Sequence, residues 1–477
     1  MSGLFGSLYT STNALRAQSA ALDLVGRNMA NVNNPAYARQ RVILGDKGSV
    51  NTPLGAQSLG AEPVGIQQMR DRLLDGQITE ETANTSFLQS QLKYLEQAQT
   101  ALGQGVFSDG GSVETITSNP ELPAGIAAST DAFFNAWQSF ATEPSSTVTK
   151  QQLIANTDDL LDKIHLADKR LSDIALPAPA AGNTLTGQMD EDLRQVSGLL
   201  TTLADLNRQI GRIEVVNPGT AVDLRDQRQA KLEELAQYIN FTAVPQSAGQ
   251  IGIQVADNGG GTVDLLDLSV VPGTLSRSGS DYVWTPTAGP AQTLALTGGS
   301  LAGYQEVGAT VQAYRDDLNT FVNALVTDVN AAYTNGGTNA NGDFFTGANL
   351  TAATISRNAT AATVIAGDSG GPSGANDRAL AVAALAKDNT FNGGTPAQSY
   401  SKIVTRVAQD LSVGSSRSED QSSLQAVLKA QRNSYGGVSI DEETADMMRY
   451  QRAYQASARM MGVIDQLLSE VMNTLVR

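Results

Sequence analysis

The stretch SIDEETADMMRYQRAYQASARMMGVIDQLLSEVM, residues 439–472, repeats apolar side chains every seven positions. One heptad register contains Ile440, Met447, Tyr454, Met461, Leu468 and Leu475, and a second contains Tyr450, Ile464 and Val471. Such a narrow apolar stripe is typical of a coiled-coil seam. Acidic residues 441–443 lie in the first turn, where negative charge favours the helix dipole. The spacing therefore predicts one long helix after the Gly pair at residues 436–437.

The N-terminal residues repeat this design in a weaker form. Leu8, Leu15, Leu22 and Met29 recur every seven positions, and a polar run at residues 31–35 ends the predicted helix. A helix with so narrow a stripe is marginal in isolation and needs a partner. We therefore predict an assembly interface that is built from both ends of the chain. Its residues are Leu8, Leu15, Leu22, Met29, Met447, Tyr450, Tyr454, Met461, Ile464, Leu468, Val471 and Leu475.

The middle of the chain predicts helices that are interrupted by two segments of different character. Apolar residues recur at helical spacing in four segments, residues 74–102, 153–174, 193–210 and 311–329. Residues 240–300 alternate apolar and polar side chains around a DNGGG turn, which predicts a small β domain. Residues 336–399 are rich in Gly, Asn, Thr and Ala, and they predict surface turns with one short helix.

The predicted fold class is mainly α with an inserted β domain, in an elongated multidomain protein whose N- and C-terminal coiled-coil helices pair. We expect three units. Residues 1–35 and 438–477 form a terminal helical domain, and residues 36–239 and 301–437 form a central helical bundle that contains the loop-rich segment 336–399. Residues 240–300 form a small outer β domain.

The composition limits the classes of partner. The chain has 477 residues, a formal net charge of −16 and no Cys. An acidic chain without clustered cations is unsuited to nucleic acid, and without Cys it has neither disulfides nor thiolate metal sites. No apolar run reaches the roughly 20 residues of a bilayer span, and the N-terminus lacks the pattern of a secretory signal peptide. The sequence predicts no nucleic-acid partner and no membrane insertion.

Few residues are candidates for catalysis. The single His, His165, lies on an amphipathic helix without a patterned nucleophile. The carboxylates at residues 190–192 could form an acid–base pair, but they precede an apolar helical stripe and fit better as first-turn charges. We predict no catalytic residue, no metal site and no cofactor. One helical face carries aromatic side chains that favour core packing over a binding platform: Phe133, Phe134, Trp137 and Phe140.

The two ends of the chain resemble a known family. The sequence NMANVNNPAYARQRV, residues 28–42, resembles the N-terminal motif of flagellar rod, hook and hook-associated proteins. Residues 439–472 are similar to the C-terminus of the flagellar hook-associated protein 1 family, the first hook–filament junction proteins. In the N-terminal motif we single out the turn formed by Asn34, Pro35 and Tyr37. Ala36 departs from the family pattern, which usually has Gly at this position.

Three interior stretches resemble the same family. They are DAFFNAWQSFATEPSS at residues 131–146, VDLRDQRQAKLEEL at 222–235 and VNAAYTNGGTNANGDFF at 329–345. The resemblance implies a structural subunit of the bacterial flagellum that forms a ring between hook and filament after type III export. It further implies an extracellular location at that junction, with a cytoplasmic stage before export.

The resemblance also implies partners. They are the hook protein, the second hook–filament junction protein, copies of the chain itself and an export chaperone on the C-terminal helix. Two alternatives stay open at this point. One is an axial flagellar protein with a catalytic or adhesive outer insert, and the other is a secreted effector or adhesin with amphipathic ends.

Overall fold

The computed structural model describes residues 2–46, 48–52, 55–58, 60–102, 125–178, 182–334, 342–346, 350–368, 374–389 and 391–475. Within these residues the fold is mainly helical, with small antiparallel sheets. The helices are α1 (Ser2–Ala30), α2 (Arg72–Ala101), α3 (Ile126–Thr142), α4 (Thr147–Ser172), α5 (Thr184–Glu214), α6 (Val222–Ala236), α7 (Gly299–Thr334), α8 (Asp377–Ala384), α9 (Pro396–Gly436) and α10 (Ile440–Leu475).

The first and last helices pack against each other. The 36 residues of α10 make a rod of about 54 Å at 1.5 Å per residue. Residue 28 near the end of α1 contacts residue 443 at the start of α10, so the two helices run antiparallel. We call this pair the terminal hairpin. The two predicted terminal helices are thus confirmed, and they pair within one chain.

A β ribbon follows α1 and was not predicted. Its strands are β1 (Gln40–Asp46), β2 (Ser49–Thr52), β3 (Gly55–Ser58) and β4 (Ala61–Gln68), and β1 pairs antiparallel with β4 as β2 does with β3. The prediction that the helical bundle begins at residue 36 is therefore wrong, because residues 40–46 and 61–68 form paired strands and the next helix begins at residue 72. Ile43, Leu44 and Val64 are exposed, and a ribbon that exposes apolar residues lacks the alternation of a half-buried strand.

The central helices form one core. Helix α2 packs between α7 and α9, while α3 packs on α4 and α8. The four helical segments predicted from periodicity correspond to α2, α4, α5 and α7. The aromatic face of α3 is buried, and Phe133 and Trp137 contact the rings of Phe344, Phe345 and Tyr333. These aromatic residues are core residues, as predicted.

The predicted β segment is confirmed as two three-stranded antiparallel sheets. One contains β5 (Thr242–Pro245), β6 (Ile251–Ala256) and β7 (Thr262–Leu266), and the other contains β8 (Gly273–Ser278), β9 (Asp281–Pro286) and β10 (Gln292–Thr293). The two ends of the insert meet where the Asn240 N–H donates to the Gly298 carbonyl at 3.2 Å. The β segment is thus inserted between α6 and α7.

The segment between α7 and α9 is loop-rich, as predicted, where it is described. It contains β11 (Phe345–Thr346), paired with β12 (Ser356–Arg357), and the short helix α8. Among the described residues, none of the helices combines the length and apolar character of a bilayer span.

Candidate functional site

The predicted interface residues lie along the terminal hairpin. On α1 the predicted stripe is half-buried, beside a fully buried face that contains Ala17, Ala21 and Leu24. On α10, Ile464 is buried, Tyr454 is exposed, and the Leu475 side chain lies outside the described residues. The other stripe residues of α10 are half-buried: Met447, Tyr450, Met461, Leu468 and Val471. The structure thus brings the stripes together as an intrachain seam, and their part in assembly stays a prediction.

Asn28 is the hub at the base of the terminal hairpin. Its amide Nδ2 donates to the Gln40 carbonyl and to Oε2 of Glu443, both at 3.0 Å. Its Oδ1 accepts from the Tyr37 hydroxyl at 2.8 Å and from the Gln40 N–H at 3.2 Å. The exposed fractions of Asn28 and Glu443 are 2% and 1%. One side chain therefore joins α1, the following loop and α10 with four hydrogen bonds, of which three are buried.

Arg39 makes the charged part of the same joint. Its guanidinium donates to Glu442 at 2.6 Å and to Glu443 at 2.7 Å, and Asp446 lies 3.6 Å away. Burial alone would lower the pKa of Arg39, but the Glu443 and Glu442 carboxylates outweigh burial and raise it. These acids lie in the first turns of α10, where the helix dipole also favours them. Arg39 is thereby held in its charged form against α10.

The joint continues into the body of the protein. Arg70 contacts Asp226 of α6 at 2.8 Å and Asp75 of α2 at 3.1 Å, and it donates to the Ala36 carbonyl at 2.9 Å. Burial raises the pKa of Asp226 to about 6, against the opposing effect of the Arg70 guanidinium. Gln40 adds a bond to Asp223 of α6 at 2.8 Å. We call the whole network, Asn28, Tyr37, Arg39, Gln40, Arg70, Asp75, Asp223, Asp226, Glu442 and Glu443, the polar joint.

The predicted motif turn sets the path of the chain into the polar joint. The side-chain Oδ1 of Asn34 accepts from the Ala36 N–H at 3.1 Å, and the backbone carbonyl of Asn34 accepts from the Tyr37 N–H at 3.1 Å. Such Asx turns are a common use of Asn before Pro. Burial raises the pKa of the Tyr37 hydroxyl, which keeps it protonated as a donor to Asn28. Ala36 is not among the described residues with left-handed φ, so this turn does not need Gly.

An apolar strip remains on the outside of the terminal hairpin. Met460, Val463 and Leu467 of α10 lie at spacings of three and four residues, and their exposed fractions are between 45% and 57%. This spacing places them on one side of the helix, next to the seam but not in it. We call these three residues the outer stripe. Neighbouring exposed apolar side chains of this kind are candidates for an interaction site.

Sequence reasoning missed most of the polar joint. It singled out Asn34, Pro35 and Tyr37 but not Asn28 and Arg39, which both bond Glu443, more than 400 residues later in the chain. The available signal was an Asn at the end of the predicted helix, four residues after Leu24 and so on its apolar side. Of the outer stripe it also missed Val463 and Leu467, because these two residues lie outside the predicted heptad registers.

The residues considered as catalytic candidates, His165 and the carboxylates Asp190 and Asp192, make structural hydrogen bonds. His165 contacts the Ile355 carbonyl through Nε2 at 2.9 Å. Asp190 accepts two bonds from Arg277 of β8, at 2.9 and 3.0 Å, and Asp192 accepts from the Ser300 hydroxyl at 2.7 Å. Among the described residues, no group of three or more His, Asp or Glu side chains is placed to hold a metal ion. These carboxylates instead tie α5 to the β insert and to the start of α7.

Comparison with known proteins agrees with this architecture. The family model "Flagellar hook-associated protein FlgK helical domain" matches residues 111–350, and "Flagellar basal body rod FlgEFG protein C-terminal" matches residues 432–475. The chain is 23% identical to Flagellar hook-associated protein 1 of Bacillus subtilis, over 99% of both chains. It is 24% identical to the protein of the same name from Salmonella typhimurium, over 51% of this chain and 40% of that one.

A solved structure shares the fold. The flagellar hook junction protein FlgK from Burkholderia pseudomallei superposes with a TM-score of 0.61 at 14% identity, over 75% of this chain and 99% of that chain. The family match extends over half of the present sequence. This chain therefore belongs to the flagellar hook-associated protein FlgK family and is a structural protein of the flagellum.

Proposed function

We propose that this protein forms the ring that joins the hook to the filament, and that it does so through the outer stripe of the terminal hairpin. The proposal is supported by two features of the terminal hairpin: apolar residues that are exposed on α10, and a buried polar joint at its base. The outer stripe supplies surface for a neighbour, and the polar joint fixes the direction in which the terminal hairpin leaves the body. A ring of identical subunits needs such a fixed geometry, because each contact is repeated around the axis.

The predicted interface residues act in this scheme by holding the terminal hairpin together. Seam residues such as Met461 and Leu468 pack α10 on α1 and so present the outer stripe. Met460 suits a contact between slightly unequal neighbours, because methionine adapts its shape at low cost. A junction between two different tubes requires such tolerance. The motif turn at Asn34, Pro35 and Tyr37 positions the Tyr37 hydroxyl, which donates to Asn28 in the polar joint.

The partners follow from this position. We propose contacts with the hook protein on one side and the second hook–filament junction protein on the other, with further copies of this chain around the ring. The exposed apolar side chains of α10 need a cover before assembly, which favours an export chaperone on this helix. The route is type III export from the cytoplasm to the hook–filament junction outside the cell. The role is structural rather than catalytic.

The test is a charge on the outer stripe. Met460→Glu places a carboxylate in the proposed contact, where burial without a partner costs several kcal/mol per subunit. We expect cells with complete hooks, no filaments, and filament protein in the medium. Because Met460 is more than half exposed, the melting temperature of the purified chain should change little.

Ala458→Glu is the matched control, since Ala458 is exposed and lies two residues before Met460, on the side of α10 opposite the outer stripe. It should leave filament growth close to normal. Normal filaments in cells that carry Met460→Glu would contradict the proposed contact. A folding defect in the purified Met460→Glu chain would show that the residue serves the chain itself.

A further inference from the structure

We propose that α9 carries a self-complementary seam through which two free copies of this chain pair antiparallel. The seam consists of Val413, Arg417, Asp420 and Leu424, spaced by four, three and four residues. This spacing places all four on one side of the helix, in the pattern of a coiled-coil stripe. Val413 and Leu424 are 49% and 45% exposed, and the two charged residues are exposed as well. We call these four residues the α9 seam.

The chain itself uses a different side of α9. Helix α9 packs on α2 through Gly414, Gln421 and Gln425, of which Gln421 bonds Glu81 and Gln425 bonds Thr82. Within the described residues, Arg417 and Asp420 form no salt bridge. The α9 seam is therefore an unpartnered coiled-coil stripe on the flank of a packed helix.

The charges select the partner and its direction. If a second copy of α9 lies antiparallel about a two-fold axis between residues 418 and 419, Val413 faces Leu424 and Arg417 faces Asp420. The symmetry repeats both pairs, so every seam residue gains a complementary partner. Antiparallel coiled coils pair alternate heptad positions in this way. A parallel pairing in register would instead place Arg417 against Arg417 and Asp420 against Asp420, which repel.

The α9 seam is short, so the two copies pair weakly. Val413 and Leu424 are separated by 11 residues, or about 16 Å of helix. In the next layer Val427 would face Asp410, which is already bonded to the Tyr314 hydroxyl at 2.6 Å. A contact of this length buries less than the roughly 1,200 Å² of a stable complex, so the pair forms only at high concentration.

This pairing differs from the proposed ring. Subunits of a ring are related by rotation and point the same way along the axis, whereas the two copies at the α9 seam point in opposite directions. The pair is thus a state of the free chain that opens before assembly. Its loss and the loss of the ring are separate events, since the ring is judged by filament growth in cells.

The test uses sedimentation velocity on the purified full chain, from roughly 10 to 300 µM, the range in which a small interface associates. We expect the average mass to rise toward that of a dimer. Arg417→Asp and Asp420→Arg should each weaken the pairing at least tenfold, because each creates two like-charge contacts. The double reversal, Arg417→Asp with Asp420→Arg, should restore it. Glu419→Arg is the control, since this exposed residue lies on another side of α9.

A cross-link reports the register. The chain has no Cys, so the variants Val413→Cys and Leu424→Cys each carry one thiol. An equal mixture of the two should form a disulfide-linked dimer under mild oxidation faster than either variant alone. A chain that stays monomeric throughout the concentration range overturns the proposal. So does a double reversal that fails to restore pairing while its circular dichroism matches that of the unchanged protein.

Discussion

At the scale of single residues, the hydrogen bonds of Asn28 fix the base of the terminal hairpin. Its amide is the one group in the joint that bonds α1, the loop after it and α10 together. A Leu at this position would extend the apolar stripe, yet it would leave the Tyr37 hydroxyl and the Glu443 carboxylate with fewer partners. Buried polar groups that lose their partners are costly, which is the physical reason for a polar residue here.

Asn28→Ala should therefore loosen the base of the terminal hairpin. We expect a loss of about 2–4 kcal/mol, since the variant leaves several buried donors and acceptors without partners. Native-state hydrogen exchange of the amides in the first turns of α10 measures this free energy of opening. Asn33→Ala is the control, because Asn33 is exposed in the same segment. Equal protection of α10 in both variants would speak against the role of Asn28.

At the scale of elements, α7 approaches α2 closely at Gly303. A Cβ built there would stand 1.9 Å from the Ser90 Oγ and 2.6 Å from the Phe87 carbonyl oxygen of α2. The backbone oxygen cannot rotate away, so a larger residue must separate the helices. The contact between α2 and α7 thus depends on the absence of a side chain at this position.

Gly303→Ala should destabilise the fold by about 1–3 kcal/mol, the usual cost of overpacking. Gly198→Ala, on the exposed side of α5 with no atom near its Cβ, should instead stabilise by about 0.5–1 kcal/mol through helix propensity. Chemical denaturation of the two variants checks the sign of each change. A stabilising Gly303→Ala would mean that α2 and α7 can move apart freely.

The elements also show which parts of the fold a sequence pattern can predict. Helices α2, α4, α5 and α7 were predictable because each buries a long apolar stripe. Helix α9 was not, because beyond Leu411 it packs on α2 through small and polar residues such as Gly414, Ser418 and Gln425. The polar joint was hidden for another reason. Arg39 and Glu443 are ordinary surface residue types, and only the fold brings them together.

At the scale of the whole molecule, the β insert is a unit whose two ends meet. Asn240 and Gly298 are hydrogen-bonded, and the Ser300 N–H donates to the Gln237 carbonyl at 2.8 Å. The insert is nevertheless tied to the helices, since Asn207 donates to the carbonyl of Ile251 at 2.7 Å. It can therefore be removed without breaking the path of the chain, but not without a cost in stability.

Replacing residues 242–297 with a short Gly-Ser linker should spare filament growth and lower the melting temperature. The first expectation follows because, among the described residues, the strands of the insert make no extensive contact with α1 or α10, and the second follows from the lost contacts of α5. Motility and electron microscopy of cells report filaments, and calorimetry reports the melting temperature. Met460→Glu supplies the positive control for filament loss. If filaments were absent although the shortened chain was secreted normally, the insert would have to take part in the hook–filament junction.

The terminal hairpin joins the first helix of the chain to the last, and Asn28 and Glu443 are 415 positions apart in the sequence. Contacts between such distant residues carry a large loop-closure cost until the intervening chain has folded, so they form late. A chain that stops before α10 leaves α1 without its seam and Asn28 without Glu443. Closure of the terminal hairpin therefore reports that α1 and α10 are both present and that the chain between them has folded.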